Sequence, residues 1–167
     1  MSARAIAFYG ACAVGWLLAA AWGGAVFSRE WGLFLEPAAV GEQLGAGSPK
    51  LHFKSFYPLE SRRFRWTSGP ASRIKFCVAK GTPASGIDLQ VPFTLGPQTL
   101  SADLNGIAVG EVRLEGGAKK VHFDVPPGAM RLGACNQLGL RISNPTLPRG
   151  YDTRALGVAV ESFRVSP

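Results

Sequence analysis

Charge is scarce in this chain. Asp, Glu, Lys and Arg make up 17% of its 167 residues, below the quarter or so usual for soluble domains. No long run of one sign and no low-complexity tract occurs, which argues against disorder and coiled coil. Cysteine is limited to three residues and histidine to two, too few for a Cys-stapled miniprotein. Neither CxxC spacing nor C-x-x-C-H is present, so zinc-ribbon, thioredoxin-type and attached-haem chemistry are excluded. G-x-S-x-G, the P-loop and G-x-G-x-x-G are missing as well. His122 falls on the polar side of its segment and His52 between apolar residues, without carboxylate or thiolate partners at ligand spacing. The reading is therefore no enzyme, no cofactor and no metal.

What the chain does have begins with residues 5 to 27, AIAFYGACAVGWLLAAAWGGAVF, an uncharged stretch between Arg4 and Arg29. As a helix rising about 1.5 Å per residue it is long enough to cross a bilayer. It is longer than the apolar core of a cleaved signal peptide, the competing reading that Arg4 and Ala19 to Ala21 allow. Ala7, Ala11, Gly15, Ala19 and Gly23 recur at every fourth position, a narrow stripe on which another membrane helix packs closely. Arg4 with the amino terminus on one flank, against Arg29 and Glu30 on the other, favours a cytoplasmic N-terminus. In a diderm bacterium this predicts a single-pass protein of the inner membrane, its C-terminal domain periplasmic. Residues 1–27 are read as the anchor, 28–50 as a juxtamembrane segment and linker, and 51–167 as the exported domain.

Beyond residue 51 the period is two. Leu100, Ala102 and Leu104 alternate with polar neighbours, as do Val121, Phe123 and Val125, and Leu138, Leu140 and Ile142. Candidate strands fall at 51–57, 62–68, 72–80, 87–95, 99–105, 108–115, 119–125, 137–144 and 156–165, with Asn105-Gly106 as a hairpin turn. The fold class is mainly β: one N-terminal transmembrane helix followed by an antiparallel, jelly-roll-like β-sandwich.

Three groups of residues in that domain are candidates for function. Cys77 and Cys135 stand 58 positions apart; in an oxidising compartment they form a disulfide, and otherwise they are small buried hydrophobes. Lys50, Lys54, Arg62, Arg63, Arg65, Arg73 and Lys75 face only Glu60 among nearby acids. They form a basic patch suited to anionic lipid head groups, an acidic glycan or an acidic protein surface. Nucleic acid is set aside because an exported domain does not meet it. Trp66, and the loop over 144–157 with Tyr151, Asp152 and Arg154, offer an aromatic face and polar groups for a glycan; the alternative is that Trp66 is core and that Asp152 and Arg154 pair locally to hold the loop.

From Arg65-Trp66 through Asn105-Gly106 and Pro126-Pro127 to Asp152-Thr153-Arg154-Ala155-Leu156-Gly157-Val158, the chain resembles the carbohydrate-binding-module-like jelly rolls appended to bacterial membrane glycosyltransferases. The resemblance covers about residues 62–165. It implies a lectin-like sandwich outside the cytoplasm, associated with glycan assembly. One membrane span and no transferase portion set this chain apart from that pattern. The expected function is a non-enzymatic accessory subunit of a larger membrane complex. Its helix packs on an integral membrane partner within the lipid bilayer, and its sandwich braces a glycan-assembly machine or an energy-transducing complex such as a photosynthetic reaction centre. The alternative is a membrane-tethered glycan-binding module working with a glycosyltransferase.

Overall fold

A computed structural model describes residues 35–148 and 150–167. The expected membrane helix and its stripe of Ala7, Ala11, Gly15, Ala19 and Gly23 lie outside these residues. Among the described residues no helix is long and apolar enough to cross a membrane.

Alternating apolar and polar side chains build the strands β1 (Pro37–Ala38), β2 (Gln43–Gly45), β3 (Leu51–Lys54), β4 (Arg65–Ser68), β5 (Ala71–Val78), β6 (Gly86–Val91), β7 (Gln98–Leu104), β8 (Ile107–Leu114), β9 (Lys119–Asp124), β10 (Cys135–Ile142), β11 (Leu156–Val160) and β12 (Ser162–Ser166). One sheet runs β1-β5-β10-β7-β8, with β3 also paired to β5; a second runs β2-β12-β6-β9; β11 and β4 form a third, smaller one. All named pairings are antiparallel except β1 with β5. The structure is thus the mainly β, antiparallel sandwich that the two-residue period predicts.

The two larger sheets meet through their apolar faces. Ile74, Phe76 and Val78 of β5, Leu138 and Leu140 of β10 and Leu100 and Leu104 of β7 are buried. So are Ile87, Leu89 and Val91 of β6, Val121 and Phe123 of β9 and Phe163 and Val165 of β12, and all join one core. Phe76 and Phe163 hold the layers together, their ring centroids 4.5 Å apart. Burying each such side chain contributes roughly 2 kcal/mol.

Asn105 and Gly106 form the hairpin turn between β7 and β8, with φ of 54° and 88°. Leu104 pairs directly with Ile107 across it, the two-residue loop that positive φ at both positions allows. The Asn105 side chain also ties this turn to β10: its Nδ2 donates to Asn136 Oδ1 at 2.9 Å, and Gln137 N donates to its Oδ1 at 3.0 Å. Cys77 of β5 and Cys135 of β10 are register partners, and their sulfurs are bonded.

Two expectations change. Residues 28–50 do not all act as a linker ahead of a domain starting at 51, because the compact unit begins at Leu35. Pro37–Ala38 pairs with Cys77–Val78, and Gln43–Gly45 with Ser162–Arg164. Alanine, glycine and proline read as spacer because such short pairings show no period, yet Ala38 and Leu44 are buried in the core. The candidate strand 156–165 is two strands: at Glu161 the chain leaves β4 and joins β6 and β2.

Candidate functional site

The outer face of the β2-β12-β6-β9 sheet gathers polar groups from sequence-distant segments. In β6, Ile87, Leu89 and Val91 point into the core, so Gly86, Asp88 and Gln90 must point out. The register sets Arg164 of β12 and His122 of β9 on either side of Asp88, and Ser162 and Lys120 on either side of Gln90. Gln43 of β2 stands opposite Arg164. Gln43, Asp88, Gln90, Lys120, Ser162 and Arg164 line a groove of about 160 Å³.

Asp88 organises this face although it is only 6% exposed. Arg164 donates to Asp88 Oδ2 from Nε at 2.9 Å and from Nη2 at 2.5 Å. His122 Nδ1 lies 2.8 Å from Oδ1, and Lys120 Nζ 3.7 Å from Oδ2. Burial alone would push this carboxyl up. The hydrogen bonds from His122 and Arg164, with the Arg164 and Lys120 charges, outweigh it and hold the carboxyl below its ordinary range. His122 responds in the opposite sense: its hydrogen bond to Asp88 lifts the imidazole above its usual value despite burial, helped by Asp124. Gly86 makes room for the ring, since a Cβ there would lie 2.4 Å from His122 Cε1.

The other ring nitrogen, His122 Nε2, lies 3.3 Å from Asp124 Oδ1, and Ser166 Oγ is buried with no hydrogen-bond partner. Among the described residues no group of three or more His, Cys, Asp or Glu is arranged to hold a metal ion.

The residues singled out from sequence scatter over other surfaces. Of the basic patch, Lys50 pairs with Glu42 at 2.7 Å and Arg63 with Glu161 at 2.7 Å. Arg65 donates to Ala46 O at 2.9 Å and sits over the Phe53 ring. Arg62 is in a turn with φ 55°. Lys54 and Arg73 are cross-strand neighbours on the outer face of the sheet containing β5, with Lys75 further along the same strand. What reads as one patch is thus a short row of Lys54, Arg73 and Lys75, three cations occupied locally, and Arg62 in its turn.

The glycan candidates divide too. Trp66 meets Phe64 edge to face, and Phe64 meets the half-exposed Phe93 in the same way, at 6.1 and 5.4 Å between centroids. Rings crossed at 90° and 71° do not share a plane. Tyr151 is fully exposed. Asp152 and Arg154 hold each other: Arg154 Nη2 donates to Asp152 Oδ2 at 2.7 Å, Nη1 bonds Glu60, and the guanidinium lies 5.1 Å over the Tyr57 ring. The Arg154 hydrogen bonds keep the Asp152 carboxyl down at about 2. This cluster locks its loop against the Tyr57 segment.

The Asp88 groove was not legible in the sequence, because residues 88, 122 and 164 meet only through strand pairing. The one local signal is an Asp inside the apolar run Ile87 to Val91.

No family model matches the chain, and no curated protein matches it. Among solved structures the sandwich is similar to the C-terminal family 6 carbohydrate-binding module of a marine laminarinase from Zobellia galactanivorans. That comparison gives 14% identity and a TM-score of 0.47, over 75% of this chain and 98% of that one. A family 35 carbohydrate-binding module from Paenibacillus barcinonensis gives 14% identity and a TM-score of 0.46, over 76% and 99%. A family two carbohydrate esterase from Clostridium thermocellum gives 10% identity and a TM-score of 0.47; the match covers 70% of this chain and 31% of the esterase.

Proposed function

We propose that this chain is a non-enzymatic, membrane-tethered binding module that takes a polyhydroxylated, glycan-type ligand across the β2-β12-β6-β9 face. One observation carries the reading: four adjacent strands each supply an outward polar side chain to a single groove. Gln43 and Gln90 bring amides that both donate and accept, as sugar hydroxyls do, while Lys120 and Ser162 add donors. Asp88 offsets much of the Arg164 and Lys120 charge, which favours a neutral or weakly acidic sugar. The Cys77–Cys135 disulfide supports an oxidising compartment outside the cytoplasm, and the apolar stretch over 5–27 supplies the tether. The test is an oligosaccharide array probed with the detergent-solubilised chain, beside a Gln43→Ala, Gln90→Ala double variant. Binding by the parent and its loss in the double variant is the expected result; no binding, or equal binding by both, overturns the reading.

A second reading, the accessory subunit bracing a larger membrane complex, is favoured by the surface cluster of Phe64, Trp66 and Phe93, with Phe93 half exposed. Mild-detergent extraction of the tagged chain followed by mass spectrometry separates the two. Stoichiometric membrane partners support the brace, and a solitary chain removes it.

A further inference from the structure

The opposite outer face, on β10, β7 and β8, carries a second concavity of about 430 Å³ lined in part by Ser101, Asp103, Gly110, Glu111 and Arg141. Its floor is open because of backbone features. The β7–β8 register shifts between Ala102 and Asp103, and Gly110 there has φ 147°, a bulge that bends the edge of the sheet. Gly139 of β10, opposite Asp103, leaves room for that carboxylate, since a Cβ would lie 2.3 Å from Asp103 Oδ2.

By register Arg141 of β10 lies on one side of Ser101 and Glu111 of β8 on the other, while the Asp103 carboxylate of β7 leans over Gly139 of β10, with Arg73 of β5 beyond it. Among the described residues neither arginine forms an ion pair with either carboxylate. The carboxylates take only local donors: Ser101 Oγ donates to Glu111 Oε2 at 2.7 Å, and Gly106 N to Asp103 Oδ1 at 3.2 Å. Arg141 and Glu111 flank Ser101 from the two neighbouring strands, so their backbones are about 10 Å apart.

We propose that this hollow binds a phosphate ester bearing a primary amine, of the phosphoethanolamine class. Its phosphate sits on the Arg141 guanidinium, and its ammonium between Asp103 and Glu111. Arginine's planar fork matches phosphate oxygens, and an ammonium donates to carboxylates.

The test is isothermal titration of the full chain in detergent micelles with O-phosphoethanolamine, inorganic phosphate and ethanolamine in turn. The expected result is binding of phosphoethanolamine about tenfold tighter than either part alone. Arg141→Gln and Glu111→Gln, both exposed positions, each lower it about tenfold, and Gln43→Ala, Gln90→Ala leaves it unchanged. Glycerophosphoethanolamine and a phosphoethanolamine-substituted hexose form two further arms, and a preference for either names the source, lipid head group or decorated glycan. Phosphate binding as tightly as phosphoethanolamine, Arg141 and Glu111 variants binding like the parent, or no heat at all would each overturn the proposal. Because the groove variant is measured in the same series, failure of the glycan reading and failure of this one are distinguishable.

Discussion

At the scale of single residues, Asp88 is the most consequential side chain in the described domain. A carboxylate this buried persists only with charged hydrogen-bond partners, and Arg164 supplies two of its bonds. Arg164→Gln leaves it to His122 and Lys120 and is expected to cost about 2 kcal/mol, read as a lower urea midpoint at unchanged slope. The same cluster gives stability a pH dependence with a defined sign. His122 titrates higher folded than unfolded, so its contribution is complete below the ordinary imidazole value of about 6.5 and fades as pH rises through the raised folded value. Asp88 titrates lower folded than unfolded, so its contribution holds above the ordinary carboxylate range and is lost as acid reaches the depressed value. His122→Gln is expected to flatten the alkaline arm of a urea-midpoint-against-pH curve and leave the acid arm in place. An unchanged alkaline arm would show that His122 is not its origin.

At the scale of elements, the hairpin β7–β8 and the strands β9 and β10 were plain in the sequence, and the reason is physical. β7, β9 and β10 each have one face in the core and one toward solvent, so Leu100-Ala102-Leu104 and Val121-Phe123 print the pleat directly into residue order. Asn105-Gly106 adds a turn whose positive φ few other residues tolerate. Gly106→Ala, at φ 88°, should therefore cost about 1–2 kcal/mol, seen as a lowered melting temperature with an intact β spectrum. The short strands β1 and β2 left no such print, and the run 156–160, buried on every side, hid the point where it changes sheets. The groove was illegible for a related reason: pleat and period say which way Asp88 points, whereas only the order of strands says that Arg164 and His122 flank it.

At the scale of the whole described domain, one covalent link spans long-range pairing. Cys77 and Cys135 join β5 to β10 across 58 positions, and closing a loop of that size in the unfolded chain corresponds to about 4 kcal/mol. The Cys77→Ala, Cys135→Ala double variant is expected to lose most of that in chemical denaturation. Reduction of the parent should reproduce the loss.

The placement of β12 bears on how the chain is made. The four-stranded sheet has β12 seated between β2 and β6, so its earliest strand and its two middle-sequence strands cannot be joined until residues 162–166 have left the ribosome. Every nascent chain shorter than that holds an open seam with Phe76 uncovered by Phe163. Synthesis therefore gives a long interval in which the polypeptide stays threadable and protease-sensitive, closed by the arrival of a single five-residue strand.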